Sequence, residues 1–225
     1  MKNLTLVIPA KNEEYSLPKV LEEIKHINCK KFVILSKSDI KTIRSIKNYN
    51  CKIIKQKNNG YGNALIEGIN FVKTDYLCIF NADGSFDPKY LKIMSKKINL
   101  NNCFIFTSRY VHGGGSADDS LLTLFGNKIF TFLGKIFFRL NISDILFTYI
   151  MGETNKFKEL KLQNSDFRIC VEIPIKIKLN NFKYSSIPSF ERKRLGGIKK
   201  VNEFKDGFLI LCELIRNYFM KYEKN

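Results

Sequence analysis

The chain has 225 residues, of which 44% are hydrophobic and 26% are charged, and its formal net charge is +17. This length suffices for one sizeable α/β domain and leaves too little chain for two full domains. The basic balance predicts a phosphate-bearing or otherwise polyanionic partner, or an anionic membrane surface, although lysines scattered by compositional drift would give the same charge.

The cysteines and apolar runs bear on the compartment of the protein. None of the six cysteines forms a Cys-x-x-Cys pair or has metal-ligand spacing, which favours a reducing cytosol. Cys78 and Cys170 lie in apolar runs typical of a core. The N-terminus leads directly into a predicted strand without a secretory signal, and no uncharged run reaches membrane-spanning length. We therefore expect a cytoplasmic protein.

Short apolar strands alternate with amphipathic helices over residues 4–80. This alternation predicts an α/β fold with a doubly wound, mostly parallel sheet. The predicted strands cover residues 4–8, 32–35, 51–54 and 76–80, and the predicted helices cover residues 17–24, 40–46 and 64–72. Later in the chain, a strand is predicted over residues 102–109 and helices over residues 121–140 and 204–222.

Acidic residues directly follow the predicted strand at residues 76–80. Asp83 and Asp87 come just past its carboxyl end, where open α/β sheets bind ligands. With Gly84 beside them, these carboxylates suit a hard divalent cation bound to a phosphate-bearing ligand. Asp-Gly and Asp-Pro are also common in turns without any chemistry, so this stretch alone leaves a plain turn open.

Two further loops should meet this stretch at the same edge of the sheet. Residues 9–14 follow the first predicted strand, and residues 58–63 form a glycine-bearing loop before a predicted helix. Backbone N–H groups of the second loop could bind a phosphate, and a plain helix-capping loop is the alternative. This loop is weak evidence alone, and it gains support because the other two stretches are expected at the same edge of the sheet.

Four motifs, in this order and at these intervals, carry a resemblance to a known family. They are VIPAKNEE at residues 7–14, NNGYGNALIEGI at 58–69, NADGSFDP at 81–88 and TSRYVHGGG at 107–115. The chain resembles the large inverting family of GT-A glycosyltransferases, and within it the branch of dolichyl-phosphate mannose synthases and polyprenyl-phosphate glycosyltransferases. The resemblance extends over most of residues 4–201 through further segments at 142–144, 171–173, 187–188 and 194–200.

The resemblance implies a GT-A, Rossmann-like fold with a C-terminal extension on the acceptor side. One domain would cover residues 1–201, with a donor half at about 1–100 and an acceptor half at about 101–201, and an amphipathic helix would occupy 202–225. The implied reaction moves a sugar from a nucleoside-diphosphate sugar to an acceptor with inversion, aided by Mg²⁺ or Mn²⁺. The acceptor would be a polyprenyl phosphate or another glycan or lipid intermediate of the cell envelope, and no nucleic-acid partner is expected.

The resemblance also implies the site residues. Asp83 would bind the metal ion together with Asn81 or Ser85, and the metal would stabilise the departing diphosphate. The catalytic residues would be Asp83, Arg109, Asp144 and Arg194. The donor would contact Pro9, Ala10, Asn12, Glu13, Glu14, Asn59, Gly60, Gly62, Asn81, Ala82 and Lys200. A phosphate acceptor needs no general base, whereas a hydroxyl acceptor would need one, for which Asp144 and Glu172 are the candidates.

An arginine and a basic loop are expected at the phosphates. Arg109 ends a predicted strand as an exposed residue, and its guanidinium could make paired hydrogen bonds to phosphate oxygens. A basic loop could close over a diphosphate because its glycines permit the movement. The residues of this loop are Arg192, Arg194, Lys199 and Lys200, around Gly196 and Gly197. Solvated surface charge is the alternative for Arg109 and for the loop.

Three positions depart from the family pattern. Residues 35–39 read Leu-Ser-Lys-Ser-Asp where the family usually carries an acidic pair for the base and ribose, so only Asp39 could serve. Asn81 replaces the first acid of the family's Asp-x-Asp, and an amide oxygen binds Mg²⁺ or Mn²⁺ more weakly than a carboxylate. Residues 116–120 are acidic where the polyprenyl-phosphate enzymes carry a further arginine. This last departure argues against a phosphate acceptor held as in those enzymes.

The helix predicted at residues 121–140 is apolar over most of its circumference. Lys128, Lys135 and Arg139 share one face, and these charges argue against a helix that spans a membrane. A helix that lies in the membrane interface fits, with its cations toward the headgroups, and the protein would then be peripheral on the inner face of the membrane. A core helix with a solvated basic stripe and a homodimer interface are the alternatives.

Two other classes of function stay open on the sequence alone. A nucleotidyltransferase would also use a metal ion and a basic loop, but residues 9–14 lack the glycine-rich, basic signature expected after its first strand. A nucleotide-sugar-binding protein without catalysis would account for Asn81 and for the missing acidic pair. Donor hydrolysis with added Mn²⁺ separates this second alternative from an active enzyme.

Overall fold

A seven-stranded sheet organises the chain. The computed structural model describes residues 3–98, 103–196 and 200–222. Its strands are β1 Leu4–Pro9, β2 Lys30–Leu35, β3 Lys52–Lys55, β4 Tyr76–Ile79, β5 Phe104–Ser108, β6 Gly115–Ser116, β7 Ile150–Glu153, β8 Tyr184–Pro188 and β9 Phe190–Glu191. Its helices are α1 Ser16–Glu23, α2 Ile40–Ser45, α3 Tyr61–Phe71, α4 Lys89–Ile98, α5 Leu121–Phe138, α6 Thr154–Glu159, α7 Ile169–Leu179 and α8 Glu203–Tyr222.

The strand order of the large sheet is β3-β2-β1-β4-β7-β5-β8, and β6 pairs with β9 in a separate two-stranded sheet. Four pairings in the large sheet are parallel, namely β1 with β2, β1 with β4, β2 with β3 and β5 with β8. Only β7 runs antiparallel, to both β4 and β5. The predicted doubly wound, mostly parallel sheet is confirmed. The sequence pattern did not indicate the antiparallel β7, and it also did not predict the short strands β6 and β9 or the helices α4 and α6.

The central strands are mostly apolar because the sheet is buried on both faces. In β1, Val7 packs into one core cluster, while its neighbours Leu6 and Ile8 pack into the other. Helix α3 approaches the first face so closely that a Cβ atom at Gly68 would lie 2.6 Å from a methyl group of Val7. Two cores, one on each face, therefore hold the strand ends in place. All six cysteines are free.

Helix α5 is shorter than predicted. Its first turn is capped by Ser120, whose hydroxyl accepts the Thr123 N–H at 3.2 Å. It ends at Phe138 because Arg139 adopts the left-handed conformation, with a φ of 53°. Within the described part of the chain, α5 is the one helix long and apolar enough to cross a membrane, by length and composition alone.

Helices α5 and α8 pack against each other. Phe137 and Tyr218 contact with ring centroids 4.6 Å apart. One side of α5 is buried against the domain through small and polar residues, including Asn127, Thr131 and Gly134. The helix predicted at residues 204–222 is confirmed as α8, and it packs on the domain beside α5.

Candidate active site

A cavity of about 930 Å³ lies where β1, β2 and β4 end, and α5, α7, α8 and β9 also contribute to its wall. It brings together most of the site residues predicted from the sequence. The predicted residues that line it are Pro9, Ala10, Asn12, Glu13, Asn59, Gly60, Asn81, Ala82, Asp83, Arg109, Arg194 and Lys200. The predicted residues outside its lining are Glu14, Gly62, Ser85 and Asp144.

The loop after β1 is held by the start of α2. Asn12 has a φ of 54°, and its backbone N–H donates to Asp39 Oδ2 at 2.7 Å. Asp39 Oδ1 accepts the Thr42 N–H at 3.3 Å and so caps α2. Asp39 therefore lines the cavity with both carboxylate oxygens already bound by backbone N–H groups. Glu14 is exposed and lies outside the cavity lining.

The glycine-bearing loop before α3 packs tightly against the segment that precedes α7. Gly60 has a φ of 123°, which glycine adopts far more readily than other residues. A Cβ atom at Gly62 would lie 2.0 Å from the Asn164 carbonyl oxygen. Gly62 thus permits a close backbone approach, whereas Tyr61 reaches the cavity wall and stacks on Phe167 with ring centroids 5.0 Å apart.

The loop after β4 keeps two side-chain oxygens without hydrogen bonds. Asp83 Oδ1 accepts the Ser85 N–H at 2.9 Å, and Asn81 Nδ2 donates to Ser85 Oγ at 3.2 Å. Asp83 Oδ2 and Asn81 Oδ1 accept no hydrogen bond from the described residues, and both residues line the cavity. Oxygen ligands of this kind suit Mg²⁺ or Mn²⁺.

The described chain holds no cluster of three or more His, Cys, Asp and Glu residues that could bind a metal ion by itself. A divalent ion at Asp83 would therefore need oxygens from a bound phosphate as further ligands, which is the usual way that proteins bind Mg²⁺. Asp87 does not line the cavity. Its Oδ1 accepts the Lys89 N–H at 2.9 Å at the start of α4, so the turn interpretation holds for this residue.

The segment after β9 lies directly over the Asp83 loop. The Leu195 N–H donates to the Asp83 carbonyl at 2.8 Å, and the Arg192 N–H donates to the Ser85 carbonyl at 2.9 Å. The Arg192 guanidinium binds Glu23 Oε1 at 2.7 Å and lies outside the cavity lining. The members of the predicted basic loop outside the described residues are Gly197 and Lys199.

Arg109 is bound by carboxylates of the chain. Its Nε and Nη2 donate to Asp144 at 2.8 and 2.9 Å, and its Nη1 donates to Glu191 Oε2 at 3.0 Å. Burial alone would lower the pKa of Arg109, but Asp144 and Glu191 outweigh burial and raise this pKa. The expectation of an exposed arginine is wrong, because the side chain is 10% exposed and three of its donors are engaged within the protein.

The two acids considered as general bases are buried away from the cavity lining. Asp144 is 2% exposed, and its oxygens accept hydrogen bonds from Arg109 and from Asn127 Nδ2. Glu172 lies in α7, where it accepts the Gln163 N–H at 2.8 Å. In this arrangement Asp144 orients the Arg109 guanidinium, and Glu172 ties α7 to the segment before it.

Arg194 and Lys200 line the cavity and also pair with carboxylates. Arg194 Nε donates to Asp118 Oδ2 at 3.1 Å, and its Nη2 donates to the same oxygen at 2.5 Å. The hydrogen bonds to Asp118 raise the pKa of Arg194. Lys200 Nζ lies 3.1 Å from Glu13 Oε1. The acidic stretch at residues 116–120, which departs from the family pattern, therefore supplies the partner of Arg194.

The acidic side of the cavity was missed by the sequence analysis. Among the described lining residues eight are acidic and five are basic, although the whole chain carries a net charge of +17. Asp118, Asp119 and Glu191 are the acids beside Arg109 and Arg194. The run of acids at 118 and 119 was the only signal in the sequence, and it did not reveal which cations these carboxylates would meet.

Comparison with known proteins gives a family and a fold. A sequence profile described as glycosyl transferase family 2 matches residues 5–161. Glucosyl-3-phosphoglycerate synthase from Mycobacterium tuberculosis, solved with Mn²⁺, uridine diphosphate and glucosyl-3-phosphoglycerate, is similar in structure, with a TM-score of 0.76 and 11% identity. That match covers 96% of this chain and 79% of the other.

A second similar structure is mannosyl-3-phosphoglycerate synthase from Rubrobacter xylanophilus. Its TM-score is 0.70 at 12% identity, and the match covers 99% of this chain and 75% of the other. At such identities the likeness concerns the fold alone. The GT-A, Rossmann-like fold predicted from the motifs is confirmed.

Proposed function

Because the chain belongs to glycosyl transferase family 2, we propose that it transfers a sugar from a nucleoside-diphosphate sugar to an acceptor, with inversion at the anomeric carbon. The observation that carries the proposal is the single cavity where the loops after β1 and β4, the loop before α3 and the segment after β9 meet. The donor half, at about residues 1–100, would bind the nucleotide and the metal ion. The acceptor half, at about residues 101–201, would bind the second substrate beside α8.

The donor diphosphate would lie between the Asp83 loop and the segment that covers it. Asp83 Oδ2 and Asn81 Oδ1 would bind Mg²⁺ or Mn²⁺ together with diphosphate oxygens, and Ser85 would hold the Asn81 amide in place. When bound, the ion supplies Lewis-acid stabilisation of the departing diphosphate. Structures of the mycobacterial synthase that contain Mn²⁺ and uridine diphosphate support this choice of cofactor.

Arg194 and Lys200 are the cations that we assign to the leaving group. Both line the cavity, and their carboxylate partners, Asp118 and Glu13, hold them in place before the donor binds. A diphosphate carries more charge than a carboxylate and can compete for the same donors. Cations fixed in advance stabilise the charge that develops on the leaving group as the glycosidic bond breaks.

We assign an amphiphilic acceptor of the cell envelope, either a polyprenyl phosphate, as in the dolichyl-phosphate mannose synthase branch, or another glycan or lipid intermediate. Support comes from α5 and α8, which border the cavity and leave large apolar side chains exposed. Those of α5 are Leu121, Leu122, Phe125, Ile129, Phe132 and Ile136. Those of α8 are Phe204, Phe208, Ile215, Phe219 and Met220.

The occupant that we assign to this apolar surface is an anionic bilayer at the inner face of the membrane. Lys128, Lys135 and Arg139 are exposed beside the apolar stripe of α5, a combination typical of helices that lie in the interface. The opposite side of α5 is buried through Asn127 and Thr131. An interfacial position uses the exposed side alone, whereas a spanning position would require α5 to leave the domain.

The protein is expected to sediment with vesicles that contain phosphatidylglycerol more than with pure phosphatidylcholine vesicles, and less as salt rises. Lys128→Gln combined with Lys135→Gln should weaken binding by about 2 kcal/mol, or roughly thirtyfold, because each basic residue near an anionic surface contributes about 1 kcal/mol. Lys41→Gln combined with Lys47→Gln removes the same charge from exposed positions near α2 and is the matched control. Absence from both pellets, with a dimer in sedimentation equilibrium, would assign the surface to a homodimer.

A thermal-shift screen of nucleoside diphosphates with Mg²⁺ and Mn²⁺ tests the donor site. At a ligand concentration 100-fold above the dissociation constant, binding stabilises the fold by about 2.7 kcal/mol, or roughly 5–10 °C for a chain of this size. We expect such a shift for at least one nucleotide, and only when a divalent ion is present. No metal-dependent shift with any nucleotide would refute the proposal. Binding without hydrolysis or transfer of the sugar would favour the non-catalytic alternative.

A further inference from the structure

Glu191 lines the cavity and keeps one carboxylate oxygen without a hydrogen-bond partner among the described residues. Its Oε2 accepts the Ser116 hydroxyl at 2.6 Å and Arg109 Nη1 at 3.0 Å. Its Oε1 accepts none from the described residues, and this oxygen is open to the cavity rather than fully buried. A carboxylate oxygen that faces a cavity without a partner is available to a hydrogen-bond donor of a ligand or of water.

Backbone pairing holds this carboxylate in position. Ser116 of β6 lies opposite Glu191 of β9, and the Ala117 N–H donates to the Glu191 carbonyl at 2.9 Å. The Ser116 hydroxyl accepts the Asp119 N–H at 3.0 Å and is therefore oriented to donate its own proton to Glu191. One carboxylate oxygen is thus anchored while the other stays available, as a preorganised proton acceptor requires.

The surroundings of Glu191 favour proton uptake. Burial raises the pKa of Glu191 above its ordinary value, Arg109 and Ser116 lower it only in part, and Asp118 adds to the rise. A general base works best when its pKa lies near the working pH, and a raised carboxyl pKa moves in that direction. Arg194, the other cation nearby, is already bound by Asp118.

The same part of the cavity disfavours an anionic acceptor group. The Arg109 guanidinium is bound by Asp144 and Glu191, and Asp119 lies 3.9 Å from its Nη1. Arg194 is already assigned to the donor diphosphate. A phosphate placed here in addition to the donor diphosphate would meet Asp118 and Glu191 as like charges at short range. A hydroxyl group brings no charge and can donate its proton to a carboxylate.

We infer that the acceptor nucleophile is a hydroxyl group of a glycan or glycolipid, and that Glu191 is its general base. This inference rests on the proposed sugar transfer and selects the hydroxyl-bearing acceptors from those proposed above. Glu191 Oε1 takes the hydroxyl proton while the acceptor oxygen forms its bond to the anomeric carbon. The bond from that carbon to the diphosphate oxygen breaks, and its electron pair leaves with the nucleoside diphosphate.

The test measures nucleoside-diphosphate release from UDP-glucose or GDP-mannose with Mn²⁺ across pH, in the presence of octyl glucoside or of farnesyl phosphate. Octyl glucoside should accelerate release and farnesyl phosphate should not. Glu191→Gln keeps an oxygen for Arg109 and Ser116, yet it should lower release by about 10²–10⁴-fold and abolish the acidic limb of the pH profile. Glu159→Gln removes an exposed carboxylate outside the cavity lining and should match the wild type.

Acceleration by farnesyl phosphate that persists in Glu191→Gln would overturn the inference. An unchanged acidic limb in that variant would also overturn it, because a residue that only positions Arg109 would lower the rate without removing the limb. Nucleotide binding distinguishes these results from failure of the proposed function. Glu191→Gln should bind nucleoside diphosphates with Mn²⁺ as the wild type does, whereas a wild-type protein that binds none would refute the sugar transfer itself.

Discussion

Asp83→Ala should abolish the metal-dependent part of nucleoside-diphosphate binding. The side chain supplies one of the two oxygens in the loop after β4 that accept no hydrogen bond from the described residues. Removal of a group that only hydrogen-bonds to a metal ligand lowers metal affinity by about 10–100-fold. Removal of a ligand itself should therefore lower metal affinity by at least about 10²-fold. Isothermal titration of the nucleotide identified in the thermal-shift screen, with and without Mn²⁺, measures the difference.

The Asp83→Ala variant should stay folded. Within the described part of the chain, the side chain accepts one hydrogen bond, from the Ser85 N–H, and such a bond contributes about 1 kcal/mol. Asn81→Asp is the companion variant, and it should raise Mn²⁺ affinity because a carboxylate replaces an amide oxygen. Unchanged metal-dependent binding in Asp83→Ala would remove Asp83 from the site. Weaker Mn²⁺ binding in Asn81→Asp would show that the hydrogen bond from Asn81 to Ser85 matters more than added charge.

The sequence predicted the central parallel strands because they are mostly apolar. β1, β2 and β4 appear as short apolar runs that end at polar residues, and their ends lie at one edge of the sheet. β7 was not predicted, since Ile150–Glu153 is only four residues long and includes Gly152. Its antiparallel direction depends on the path of the chain through α5, which local periodicity does not encode.

The residues at the sheet edge could be predicted, but their ionic partners could not. Parallel strands bring their carboxyl ends together, which places Asn12 and Asp83 in one cavity. Arg109, in contrast, pairs with residues 35 and 82 positions away, and only tertiary packing determines that choice. Glu191 was missed because it begins the run Glu-Arg-Lys-Arg, which has the composition of a solvated basic surface.

Arg109→Met should lower the free energy of unfolding by about 3–5 kcal/mol, because removal of one partner leaves buried charges without compensation. Asp144 and Glu191 would remain, and both are buried. Urea unfolding near neutral pH measures the loss. Arg168→Met is the matched control, because Arg168 pairs with Asp166 at a position where both side chains are about one third exposed. Such a surface pair contributes about 0–1 kcal/mol.

The loss in Arg109→Met should also depend on pH. Burial raises the pKa of Glu191, whereas the charge of Arg109 lowers it. Without Arg109, the pKa of Glu191 should therefore rise further above its value in the unfolded chain. A carboxyl group with a raised pKa in the folded state contributes stability at low pH, and that contribution is lost as pH rises through the folded pKa. The difference between variant and wild type should therefore be smaller at about pH 5 than at about pH 8. The prediction would be wrong if Arg109→Met and Arg168→Met lost the same free energy of unfolding at every pH. That result would mean that water solvates the carboxylates around Arg109 as well as it solvates carboxylates at the surface.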